Sequence, residues 1–264
     1  TFETIQGIRS MSETAQLFGF DMVKTQGWSH LCIISDGDTW FRDPRVYGYF
    51  DRLIDDGFFE DFDQVVFYGA GPCGYAASAF SVASPGATVV AIQPQATLDP
   101  RMTEWDERFV EMRRVSFTDR YGYAPDMLDA AKQAYIFYDP YEQLDAMHAA
   151  LFSRKNVLRL RVPYLGAAVQ TRMIEMRILN TILKKAASGD FNAAEFARLF
   201  RARRDDSSYL RALMARLDHL DRPFLQVLLC RNVLSRVRAP RFRRRLQNLE
   251  QRAAEGEFEL PSIL

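Results

Sequence analysis

Several scarcities constrain this chain before any motif is read. Cysteine is rare: Cys32, Cys73 and Cys230 are odd in number, far apart and never arranged as CxxC. That spacing excludes a disulfide framework and reads as free thiols in a reducing compartment. Histidine is as scarce, and His30, His148 and His219 have no metal-ligand spacing to one another or to a cysteine or acid pair, so no metal is expected. Net charge is absent, with 34 basic against 34 acidic residues. A balanced total gives no bulk field to attract nucleic acid or an anionic membrane surface, and neither is expected as a partner. No apolar run reaches the length of a membrane span. A cytoplasmic, soluble protein is the expectation. The chain opens at Thr1 without a methionine, which leaves open a leader ahead of it.

What is present suits a packed core. Forty-eight per cent of the 264 residues are hydrophobic, enough for one large α/β domain with an appendage. Residues 1–27 are weakly patterned. Five short apolar runs then read as strands: 30–35, 65–68, 87–92, 134–138 and 157–162. The continuous apolar character of runs such as 65–68 and 87–92 suits strands covered on both faces, hence a parallel sheet, while 157–162 alternates after its first two residues. Helical spacing lies between them at Tyr47, Phe50, Leu53 and Ile54, at 75–83, near 105–112, through Leu144, Met147, His148 and Leu151, and over 169–187. Strand and helix alternate, which predicts a doubly wound, mostly parallel sheet over residues 1–187 with right-handed crossovers. Beyond Ser188-Gly189-Asp190 the pattern is amphipathic helix only, so 188–264 reads as a C-terminal α-helical extension, a candidate interface for a protein partner.

The chain is organised around Val65-Val66-Phe67-Tyr68-Gly69-Ala70-Gly71-Pro72-Cys73-Gly74-Tyr75-Ala76-Ala77, a strand, a glycine-dense turn and a helix. Two chemistries use such a turn. Gly69, Gly71 and Gly74 spell GxGxxG in the strand-to-helix context of a dinucleotide site and resemble the turn of flavin-dependent oxidoreductases. The acid that would hold the ribose is missing at the end of the next strand, where Gln93 stands.

The same stretch, continuing as Gly74-Tyr75-Ala76-Ala77, resembles the nucleophile elbow of the α/β-hydrolase superfamily, G-x-S-x-G. Two later landmarks follow in family order. Phe137-Tyr138-Asp139-Pro140-Tyr141 resembles the strand end carrying the triad acid, and Val162-Pro163-Tyr164-Leu165-Gly166-Ala167-Ala168 resembles the turn carrying the base. The resemblance covers about residues 28 to 187. It implies triad positions at Gly71, Asp139 and Ala167, of which only the acid survives. Glycine has no hydroxyl to attack a carbonyl, and alanine cannot exchange a proton. Pro72, following the apex, has no N–H to offer an oxyanion.

A non-catalytic, α/β-hydrolase-like binding protein with no cofactor is therefore the leading expectation, its ligand or protein contacts falling on Gly69, Gly71, Pro72, Cys73, Gly74 and Asp139. Nucleotide or flavin binding is an alternative. So is a hydrolase or acyltransferase with Cys73 as nucleophile, since a helix start lowers a thiol pKa. The remaining features have plainer readings. Each histidine is expected at the surface or half-buried. Asp36 and Asp38 read as turn chemistry. The run Arg236, Arg238, Arg241, Arg243, Arg244 and Arg245 reads as a solvated face offset by Glu255, Glu257 and Glu259, and the apolar tail 258–264 as a docking segment.

Overall fold

The structure, a computed structural model, describes residues 1–262. It forms two compact units that divide after Phe196, later than the compositional boundary at 187. The tail's last two residues, 263 and 264, lie outside the described residues.

The first unit runs β1 (Phe2–Thr4), α1 (Ile5–Met11), α2 (Phe20–Gln26), β2 (Ile33–Ser35), α3 (Pro44–Asp55), β3 (Val66–Ala70), α4 (Pro72–Phe80), β4 (Thr88–Ile92), α5 (Pro100–Thr103), α6 (Ala124–Met127), β5 (Gln133–Tyr138), α7 (Gln143–Leu151), β6 (Val157–Arg161), α8 (Val169–Glu175) and α9 (Leu179–Ala187). A tenth helix, α10 (Ala193–Leu199), begins in it. β3, β4, β5 and β6 lie side by side in chain order as a four-stranded parallel sheet, and β1 and β2 form a two-stranded parallel sheet of their own. The molecule is thus of the α/β class with parallel sheets, as the alternating pattern required.

Side-chain alternation assigns the two faces of the large sheet. Phe67, Val89, Ala91, Ala134 and Ile136 share one apolar cluster with Tyr75, Ala76, Ala79 and Phe80 of α4. The intervening positions point the other way, where Tyr135 and Phe137 pack edge-on or stacked against Phe191 and Phe196. Both faces of β4 and β5 are covered, which is why these inner strands show no polar alternation, whereas the edge strand β6 exposes Arg159 and Arg161 between its apolar residues.

Three local expectations change. The unpatterned N-terminal stretch contains β1, which pairs Phe2 with Ile33 and Thr4 with Ser35. Three residues are too few for a period-2 signal to register. The helix read over 169–187 is broken between α8 and α9, where Arg177 takes a φ of 58°. The helix read near 105–112 is a 3-10 segment, Glu107–Arg114, kinked at Phe109.

The second unit contains α11 (Ser207–His219), α12 (Pro223–Leu234) and α13 (Pro240–Ala254). Asp206 caps α11, its carboxylate accepting from the Tyr209 N–H at 2.6 Å, and prolines open α12 and α13 where no helical N–H is needed. Val227, Cys230 and Val233 on α12 and Phe242 and Leu249 on α13 are buried.

Candidate functional site

The turn after β3 is held by close backbone approach. A Cβ added to Gly69 would lie 2.0 Å from the Cys73 carbonyl oxygen, so only glycine lets the first turn of α4 fold back against the strand. Gly74 packs closely, though less so, against β4, where a Cβ would sit 3.1 Å from the Ile92 oxygen. Gly71, at the apex, is different. Its φ of 58° and ψ of −126° are strained for any residue with a side chain, yet a Cβ there would meet nothing within 4 Å. The apex thus aims its one substituent position into open space and places a hydrogen there. Its N–H donates to the Ile92 carbonyl at 2.8 Å, and Pro72 follows as the first residue of α4.

Two strands away, Asp139 follows β5 and is 1 % exposed. One carboxylate oxygen accepts from the Tyr141 N–H (3.0 Å) and the other from the Gly166 N–H (2.7 Å). Gly166 opens the short 3-10 turn Gly166–Ala168, so Asp139 and the turn bearing Ala167 are tied directly together. Gly71 and Asp139 stand at the same end of the sheet on strands separated by β4, about 10 Å apart at ordinary strand spacing.

Gln93 fills the gap between them. With φ 48°, it turns the chain out of β4 while its N–H donates to the Phe137 carbonyl at 2.7 Å. Its amide oxygen accepts from the Val169 N–H (3.1 Å), and its amide nitrogen donates to Asp145 (2.6 Å). With both ends of the amide engaged inside the protein, Gln93 is not free to hold a ribose, which weakens the dinucleotide reading.

From Asp145 a polar relay continues through Arg108, which is exposed, to the buried Asp106 and His148. Arg108 bridges Asp145 (2.7 Å) and Asp106 (2.8 Å), and His148 Nε2 lies 3.0 Å from Asp106. His148 Nδ1 accepts from the Ala96 N–H at 3.1 Å, which places the ring proton on Nε2, facing Asp106. Burial holds the imidazole below its usual pKa despite the carboxylate beside it. The Ala96 contact supplies a second reason, because protonating Nδ1 would set two N–H donors against each other. Burial works to raise Asp106, but the hydrogen bonds from Arg108 and His148 prevail and hold it low. Glu142 sits on the same side. Burial, then the Asp139 and Asp145 carboxylates, push its carboxyl up.

The expectation that His148 is surface or half-buried is therefore corrected: it is fully buried, its ring 4.6 Å from that of Trp105 and tilted 53° to it. Asp106, Arg108, Gln93 and Asp145 join it as positions whose role sequence reading missed. The available signal was Asp145 and His148 one helical turn apart on a single face of α7. His30 hydrogen-bonds the Thr1 hydroxyl at 2.8 Å, and His219 is exposed on α11.

Of the residues expected to contact a ligand, Gly69, Cys73, Gly74 and Asp139 are buried, and Gly71 and Pro72 are partly accessible. Cys73 faces the core, and burial, reinforced by Glu3 and Cys32, pushes its thiol up to about 12. The helix-start effect that would activate it is overridden by desolvation. Asp36 and Asp38 join no metal-binding group, and no such group occurs among the described residues. A cavity of about 980 Å³ lies elsewhere: it is lined by Phe18, Met22, Phe58, Phe59 and Gln64 among others, and by none of Gly71, Asp139 or Ala167. No helix among the described residues is long and apolar enough to cross a membrane. No family model matches the chain, and neither curated proteins nor solved structures give a match to it.

Proposed function

We propose that this protein is a non-catalytic binding protein built on an α/β-hydrolase-like frame, a pseudoenzyme whose first 187 or so residues form the frame and whose helical remainder serves contacts with a protein partner. The observation that carries the reading is Gly71. Its backbone holds the strained apex of a sharp strand-to-helix turn, with clear space before it, while no nucleophile is attached. The remaining positions agree. The acid position, Asp139, spends its carboxylate on the backbone of the very turn where a base would stand, and that turn offers Ala167. Pro72 removes the amide that would steady an oxyanion.

Loss of an oxyanion donor alone costs about 3 kcal/mol of transition-state stabilisation, and loss of nucleophile and base leaves no acyl-transfer route. On this reading the parallel α/β scaffold that remains serves binding. Assay against a panel of short-chain nitrophenyl esters, with native mass spectrometry of protein purified from its own host, tests this. Turnover at the buffer rate, together with a co-purifying ligand or protein of fixed stoichiometry, is expected. Turnover well above that rate, abolished by Cys73→Ala, would replace the proposal with cysteine catalysis.

A further inference from the structure

The neutral total of the chain conceals two unequal halves. The second unit, residues 197–264, carries fifteen arginines, no lysine and eight acidic residues, a formal charge of +7. The first unit must then carry −7 for the sum to vanish. Bulk neutrality therefore holds within neither unit, and the arginine run lies in the basic one.

Nor does the acidic tail offset that run. Glu257 pairs with Arg252 at the far end of α13, and Glu255 accepts from Gln251. Arg236 pairs with Asp205, and Arg245 turns inward to Asp218 and Gln226. Arg238, Arg241, Arg243 and Arg244 are exposed and have no ion-pair partner among the described residues. Three of these four stand in the opening turns of α13, a helix with no acid in its first turn. The helix dipole is itself positive there, so the arginines repel both it and one another, a placement that an isolated helix disfavours and a bound anion relieves.

The chemistry of the face selects the anion. Arginine forks two parallel N–H bonds to phosphate oxygens. Beyond Arg244 the outward side of α13 continues with Gln247, Asn248 and Gln251, all exposed amides, while its apolar Phe242 and Leu249 are buried. That face offers hydrogen bonds and charge but no apolar wedge for a lipid surface. We infer that the arginine-rich start of α13 binds the phosphate backbone of a nucleic acid.

Fluorescence anisotropy of the full chain with fluorescein-labelled 20-mers of single-stranded RNA, single-stranded DNA and duplex DNA tests this, over about 50 to 200 mM salt. Binding to at least one probe is expected, weakening steeply with salt. Arg241→Gln, Arg243→Gln and Arg244→Gln combined should lower affinity at least about tenfold and reduce the logarithmic salt slope by about 2 to 3. Circular dichroism checks the fold of that variant, and Arg244→Gln alone, with a slope reduced by about 0.7 to 0.9, serves if helicity is lost. Absence of salt-dependent binding to all three probes would overturn the inference, as would a wild-type slope in the folded variant. Anionic phosphatidylserine vesicles that bind more tightly than any 20-mer would overturn it in favour of a membrane surface.

Discussion

The buried Asp139 carboxylate accepts the Gly166 N–H at 2.7 Å, joining the end of β5 to the turn after β6. A carboxylate so placed cannot orient an imidazole, and none is there. Its two oxygens satisfy two separate backbone donors, one each. Asp139→Asn keeps one acceptor and turns an amide N–H₂ toward the other donor. It should cost about 1–3 kcal/mol, and Asp139→Ala at least as much, in urea titrations. A loss under about 0.5 kcal/mol for Asp139→Ala would mean that the contact does not hold the turn.

Gly69 and Gly71 should respond in opposite ways to the same added carbon. At Gly69 the new Cβ collides with backbone, so Gly69→Ala should lose more than about 3 kcal/mol or fail to fold. At Gly71 the space is open, and Gly71→Ser should cost only the strain of its positive φ, about 1–3 kcal/mol, while folding normally. Thermal melts of the two variants read this directly, and equal losses would contradict the described turn.

Acid should destabilise the protein through His148. The folded state holds this imidazole neutral, whereas in an unfolded chain it protonates near pH 6.5. The unfolded state therefore takes up the proton first as pH falls. The stabilising contribution is complete above about pH 6.5 and is lost as pH drops through that value toward the lower folded pKa. Asp106, depressed in the fold, adds a loss in the same direction at lower pH. His148→Gln, which can still accept from Ala96 and donate to Asp106, should flatten the stability slope between about pH 7 and 5. Urea midpoints measured across that range decide it: an unchanged slope would show that the imidazole is not the titrating group.

Cys73 should be silent toward thiol reagents in the native state. It is buried and its thiol is held up at about 12, so at pH 8 scarcely any thiolate exists to react. Peptide mapping after a short exposure to iodoacetamide should find Cys73 unmodified, and modified once denaturant is added. Rapid native labelling at Cys73 would reopen the case for a reactive cysteine at the turn.

The parts legible in the sequence were those written in long apolar runs. The runs at 65–68, 87–92 and 134–138 correspond to β3, β4 and β5 because strands covered on both faces are apolar throughout, and 157–162 shows as the edge strand β6 by its apolar–arginine alternation. Gly69 and Gly74 were legible as a tight turn. β1 was not, since its three residues earn their conformation from pairing with β2 rather than from any local pattern. The relay through Gln93, Asp145, Arg108, Asp106 and His148 was equally hidden, because its members come from three separate segments and meet only when those segments pack.

The sequence by itself determined an alternating α/β chain, a glycine turn lacking a hydroxyl at its apex, and the absence of a base at Ala167, since composition at a named position is beyond the reach of folding to alter. Tertiary structure alone decided that Asp139 is consumed by two backbone N–H groups, that desolvation silences Cys73, and where the boundary falls that separates a basic unit from an acidic one. Each of those depends on which groups lose water and which gain neighbours, and that is settled by packing across distant segments.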